Sequence, residues 1–319
     1  MLNRWYSVAV VAFWLTTMSW LVVRKVLPPL LVGEPPSYQT IVKQPAIEQQ
    51  PVNWEILLDG KRVGEAVNRR ELLDEGVTRL ESRVLLERLP LGSWPMGRIA
   101  SLAGSPGGAA GKFDLDLETH STIEIDPLGR LVSFEIVLRL GPLKRAVVLL
   151  GSVDVDQLTL HVRCGDFSYE TTSYLSEDTL IGDALSPQPR LPGLKVGQSW
   201  TMPVYSPLAP QNRPVEILQA TVKRQELLPW NGAVVRTLLV TYRQDTGAGL
   251  TADAEPQARA WVRADGAVLQ QEVQWFGAWL RFVRREGGEL SSKMATEEKE
   301  EGAVSTHRSH DFSNHKSHR

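Results

Sequence analysis

Cysteine occurs once in this chain, at Cys164, so no internal disulfide can form and cysteine usage leaves the redox compartment open. A charge excess is also missing. Lys and Arg number 35 against 37 Asp and Glu, a net charge of -2, and no basic stripe interrupts the balance. A nucleic-acid partner would therefore lack its main driving force and is not expected. The spaced motifs of zincins, serine hydrolases, zinc ribbons and dinucleotide folds are absent. No catalytic constellation, cofactor or metal is expected. Long apolar runs are scarce too, and only residues 5–23 approach the length of a bilayer crossing.

That run is charge-free between Arg4 and the pair Arg24-Lys25, with Trp5, Tyr6 and Trp20 near its ends. A hydrocarbon core needs roughly 20 helical residues, and amphipathic rings favour the headgroup region. The pattern predicts a transmembrane helix over 5–23 after a short head, 1–4. Arg24-Lys25-Val26-Leu27-Pro28-Pro29 replaces the small-x-small site of a cleaved signal peptide, so a retained signal anchor is expected. No cysteine follows to carry a lipid. The positive-inside count, Arg4 and the N-terminal amine against Arg24, Lys25 and Lys43, is nearly balanced and leans slightly against export. A short head followed by a long polar domain is the layout of an outward-facing single-pass protein.

Residues 24–52 are rich in Pro and Gln and read as an extended stalk. Residues 287–319 lack apolar periodicity, carry Glu297-Glu298-Lys299-Glu300-Glu301 and hold four of the six histidines, which predicts a disordered tail. Between them, 53–286 reads as β. From Phe113 to Ile125, apolar Phe113, Leu115, Leu117, Ile123 and Ile125 alternate with polar residues, while Thr119 and Ser121 dilute that face without changing its phase. Period two over this length is a half-buried strand. Val132, Phe134, Ile136, Leu138 and Leu140 continue the logic after Asp126-Pro127-Leu128-Gly129, which predicts a long hairpin. Asp59-Gly60, Asn231-Gly232 and Asp265-Gly266 separate further strand-like runs and favour two-residue hairpin turns. For 72–89, a turn at Asp74-Glu75-Gly76 followed by a strand is preferred, because Gly76 would cost a helix about 1 kcal/mol.

Residues 125–135 and 262–272 echo each other as strand, Asp/Gly turn and strand bearing Glu. The Pro-rich stretch Ser186 to Pro214 reads as a crossover or boundary between halves 53–185 and 186–286. The expected fold class is mainly β, a strongly curved antiparallel sheet like a half-barrel.

The segments Trp54 to Gly64, Leu194 to Trp200 and Ala260 to Glu272 resemble uncharacterised bacterial exported proteins. Those are similar in turn to the half-barrel folds of periplasmic lipoprotein carriers and to β segments that accompany transglutaminase-like domains. The resemblance spans 53–286 and implies a half-barrel exported from a bacterial inner membrane; its motifs are turns and strands and transfer no catalytic residue.

Several clusters invite chemistry and have plainer readings. Asp114, Asp116, Glu118, His120 and Glu124 place metal-type ligands about 6.5 to 7 Å apart on one strand face, but no partner cluster completes a site and the solvated side of an amphipathic strand is the expected reading. His161 and Cys164 fall on opposite faces of their strand, which separates a nucleophile from its base. Pro106 to Phe113 has Pro and Phe where a phosphate loop needs Gly and Ser or Thr. His307, His310, His315 and His318 would chelate a metal only loosely. The sharpest candidate is aromatic: Trp261, Trp275 and Trp279 are expected to line a ligand groove on the open sheet face, taking an apolar chain, a lipid or an envelope protein segment. The expected function is a membrane-anchored, noncatalytic cell-envelope protein that binds an apolar ligand or a partner. The alternative is an accessory subunit or relic of an envelope hydrolase system of transglutaminase or protease type.

Overall fold

The computed structural model describes residues 2–23, 50–90, 114–141, 143–177, 179–182, 185–207, 215–244, 255–275 and 277–286. Nearly all of the stalk, the tail with its histidines and the glycine-rich loop before Phe113 lie outside these residues. The strands are β1 (Val52–Leu58), β2 (Lys61–Leu72), β3 (Thr78–Pro90), β4 (Asp114–Ile125), β5 (Leu131–Leu140), β6 (Leu143–Asp154), β7 (Gln157–Cys164) and β8 (Phe167–Tyr174). They continue as β9 (Leu180–Ile181), β10 (Ser199–Tyr205), β11 (Val215–Trp230), β12 (Ala233–Gln244), β13 (Ala258–Arg263), β14 (Val268–Trp275) and β15 (Ala278–Arg285).

All fifteen strands join one open sheet. From β1 the ladder steps outward to β8 on one side; on the other it begins at β15 and steps back to β9, so β1 and β15 are neighbours and β8 and β9 are the edges. The sheet curves enough for its inner surface to close on itself. The main apolar cluster joins Trp54, Ile56 and Leu58 of β1 and Leu86 of β3 to Trp200, Val222, Val240, Val262, Leu280 and Phe282. A second cluster joins Ile125, Phe134, Leu149, Leu158 and Leu160 to Ile181 and Tyr205. Side-chain packing thus brings the β9–β10 edge against the inner face of β5 to β7.

Turn chemistry explains the hairpins. Asp59 and Gly60 (φ 49° and 79°) and Asn231 and Gly232 (φ 48° and 76°) make two-residue turns with both central residues left-handed. Asp265-Gly266 differs from its expected two-residue form. Arg263 N donates to Ala267 O at 2.8 Å, Gly266 N donates to Arg263 O at 2.9 Å, and only Gly266 has positive φ, 86°. The same bonds recur from Asp126 to Arg130 around Gly129, so the sequence echo is a repeated turn with a glycine bulge. The strand β3 follows a single 3-10 turn at Asp74–Gly76, as the Gly76 argument requires. One inward assignment fails: Val132 is 40% exposed while Leu131 is buried, because the bulge shifts the register near Ile125.

The helix α1 (Leu2–Leu21) departs from the expected span over 5–23. It takes in Asn3 and Arg4 and ends before Val22 and Val23, which continue as a π turn. No helix among the described residues is long and apolar enough to cross a membrane. Thr16 and Thr17 turn their hydroxyls back to Ala12 O and Phe13 O, each at 2.8 Å.

Candidate functional site

The three tryptophans expected to share a groove occupy different environments. Along β13, Ala260 and Val262 enter the main cluster, so Arg259, Trp261 and Arg263 take the opposite face. Trp261 packs with Leu228, Trp230, Ala267, Leu269 and Val283 in a third cluster, and its indole N–H donates to Glu226 at 2.8 Å. Trp275 pairs with Ala278 and packs against the main cluster. Trp279, one residue on, takes the outer side beneath the Arg259 guanidinium, 4.8 Å from its ring centre. Trp261 and Trp279 therefore share the outer face, and Trp275 faces inward.

Around the outer pair lies an ionic network. The Glu272 side chain, 9% exposed, accepts from Arg281 at 2.9 Å and meets Arg259 at 3.5 Å. A low-exposure carboxylate between two guanidinium groups is compensated, which keeps the strands in register without leaving charge for chemistry. Nearby, Arg224 donates to Glu226 at 2.9 Å, and the Trp230 indole donates to Arg284 O at 2.8 Å.

The concave face is covered from within the chain. After β9 the Pro-rich connection runs along the inside of the sheet as a strap, with Leu185 and Leu191 inside the main cluster and Leu194 packed on it. Its fastenings come from distant strands. Gln188 N donates to Gln271 Oε1 at 2.9 Å, Leu191 N to Gly266 O at 2.8 Å, and Asn68 Nδ2 to Ser186 Oγ at 3.3 Å. Asn68 also receives the Trp54 indole N–H at 2.7 Å, which ties the strap to β1 through β2. Residues 185–198 are the part of the inner surface that the sequence did not announce; its one signal is three leucines within an otherwise linker-like composition.

Two carboxylates of the acidic face of β4 are engaged by arginine. Arg83 binds Glu118 at 2.8 Å with Arg139 at 3.4 Å, and Arg79 binds Glu124 at 2.9 Å. The bonds from Arg79 and Ser133 hold the Glu124 carboxyl below its ordinary range. No group of three metal-ligating side chains occurs among the described residues. His161 meets Glu170 across the β7–β8 pair at 3.2 Å, both largely exposed, and Cys164 stays a half-buried free thiol at the hairpin end. In the repeated turns, Arg263 holds Asp265 down to about 2, against a burial that pushes it up, with the Ala267 amide assisting. Burial likewise raises Asp126, but bonds from the Arg130 amide and guanidinium outweigh it and leave this carboxyl below its usual range. Tyr242, fully buried, is pushed well up by burial alone.

No family model matches the chain, and no curated protein does. Among solved structures it is similar to a crystal structure from Brucella abortus, described as a beta-barrel-like protein of a domain of unknown function, DUF1849. The identity is 11%, the TM-score 0.44, and the match covers 74% of this chain and 95% of that one.

Proposed function

We propose that this chain is a noncatalytic, membrane-tethered β module of the cell envelope, with its β unit on the exported side, and that it works by docking a partner protein. The observation that carries the reading is the strap. Leu185, Leu191 and Leu194 occupy the inner surface where an apolar ligand would otherwise sit, so binding is left to outward-facing surfaces. Tethering is supported by α1, which carries no charged residue after Arg4 and leaves Trp5, Phe13, Trp14 and Trp20 at least 57% exposed. Several large aromatic side chains exposed on one helix call for lipid or protein around them.

In-cell photo-crosslinking of the full chain tests the reading, with the photoreactive residue placed in turn at exposed positions on both sheet faces. A discrete protein adduct in the membrane fraction is expected. A retained lipid adduct from positions facing the strap would restore the ligand reading, and absence of any adduct would reduce the module to a spacer.

A further inference from the structure

The antiparallel meander from β2 to β8 puts three turns and one strand end on the same side: the β2–β3 turn, the β4–β5 turn, the β6–β7 turn and the end of β8. Each of these four places exposes a large apolar residue. Leu72 is 58% exposed, Leu128 64%, Val155 87% and Tyr174 72%. With neighbouring strands about 4.8 Å apart, the row from β2 to β8 is roughly 30 Å long. Apolar tips scattered singly need no explanation, but these four recur at every second strand along one rim, an interrupted apolar stripe.

The charge around that stripe is mixed, with an acidic excess. Glu71, Asp74, Glu75, Asp154 and Glu177 are exposed there, and Asp156 is half-buried. Among the basic residues at this end, Arg130 meets Asp126 at 2.7 Å, Arg79 meets Glu124 and the rim's own Glu71, and Arg69 and Arg70 are half-buried. Such a rim repels an anionic bilayer or a nucleic acid. It complements a segment with apolar residues on one face and Lys or Arg on the other.

We infer that the turn rim of β2 to β8 is a docking surface for a cationic amphipathic segment of a partner protein. This rests on the partner-docking reading and names where the partner binds and by what chemistry. Leu128 and Tyr174 supply the anchors, and the carboxylates set orientation and speed encounter.

The probe is a synthetic 20-residue amphipathic Leu/Lys helix, titrated into the full-length protein, with its Leu/Glu counterpart as control. Micromolar binding of the cationic peptide only is expected. It should weaken at least tenfold in 0.5 M salt, since exposed charges are then screened. The combined Leu72→Ser, Leu128→Ser and Tyr174→Ser variant should lose binding at least tenfold with unchanged thermal unfolding, because all three side chains are exposed. Asp74→Lys with Asp154→Lys separately should abolish the salt dependence. Equal binding of both peptides, binding untouched by these substitutions, or tighter binding to phosphatidylglycerol vesicles than to the peptide would overturn the inference. Those outcomes leave the crosslinking test of the partner reading standing on its own.

Discussion

The ring of Phe134 fills the space that a side chain on Gly151 would occupy: across the β5–β6 pair, a Cβ at 151 would lie 2.1 Å from its Cε1 and 2.3 Å from its Cζ. Phe134 is 3% exposed and belongs to the second apolar cluster, so it cannot swing into solvent. Gly151→Ala should cost about 2–4 kcal/mol, toward the upper end of overpacking penalties. Chemical denaturation should show a lower midpoint at constant slope. Phe134→Leu, added to Gly151→Ala, should recover part of the loss, and full additivity of the two changes would contradict the contact.

Val155 holds φ at 56° in the β6–β7 turn while 87% exposed. A β-branched residue in the left-handed region is strained, and little packing repays it there. Val155→Asn is expected to stabilise by about 1 kcal/mol, read as a higher unfolding temperature. An unchanged or lower temperature would show that the turn does not hold this conformation.

Leu191 tests whether the strap is part of the core. It is 1% exposed inside the main cluster, so Leu191→Ala should cost about 2–5 kcal/mol, the range for truncating a buried leucine. A linker residue would lose less than about 0.5 kcal/mol on the same denaturation curve.

Acid should weaken the repeated turns. Asp265, Asp126 and Glu124 titrate below their ordinary values when folded, so each contributes stability that is complete above the unfolded carboxyl range and lost as pH falls through the folded value. For Asp265 the window runs from near 4 to about 2. Asp265→Asn should therefore lower stability at pH 7, with the gap to the parent closing as pH approaches 2. A gap independent of pH would assign the loss to turn geometry alone.

How far the sequence could be read depended on how local each signal was. The β4–β5 hairpin followed from alternation, and Thr119 and Ser121 are buried in phase with Leu117 despite their hydroxyls. The Asp59-Gly60 and Asn231-Gly232 turns followed from backbone preference within two residues. Val132 failed because a bulge one turn away reset the phase. The tryptophans are divided between the two faces for a longer-range reason. Local parity separates Trp261 from Val262, but which face meets the core depends on how β13 pairs with β12 and β14, including a register shift at Trp261. The strap was least legible, since the bonds that seat it join residues as far apart as Asn68 and Ser186, and composition records nothing of such partners.

The adjacency of β1 and β15 has a temporal meaning. A ribosome delivers β1 more than two hundred residues before its neighbour exists, so the strand bearing Trp54, Ile56 and Leu58 must wait with one flank unpaired while the chain lengthens. Local hairpins can zip as they emerge, but the centre of the sheet closes only once β15 has emerged, which makes folding slow and leaves a sticky edge in the interim.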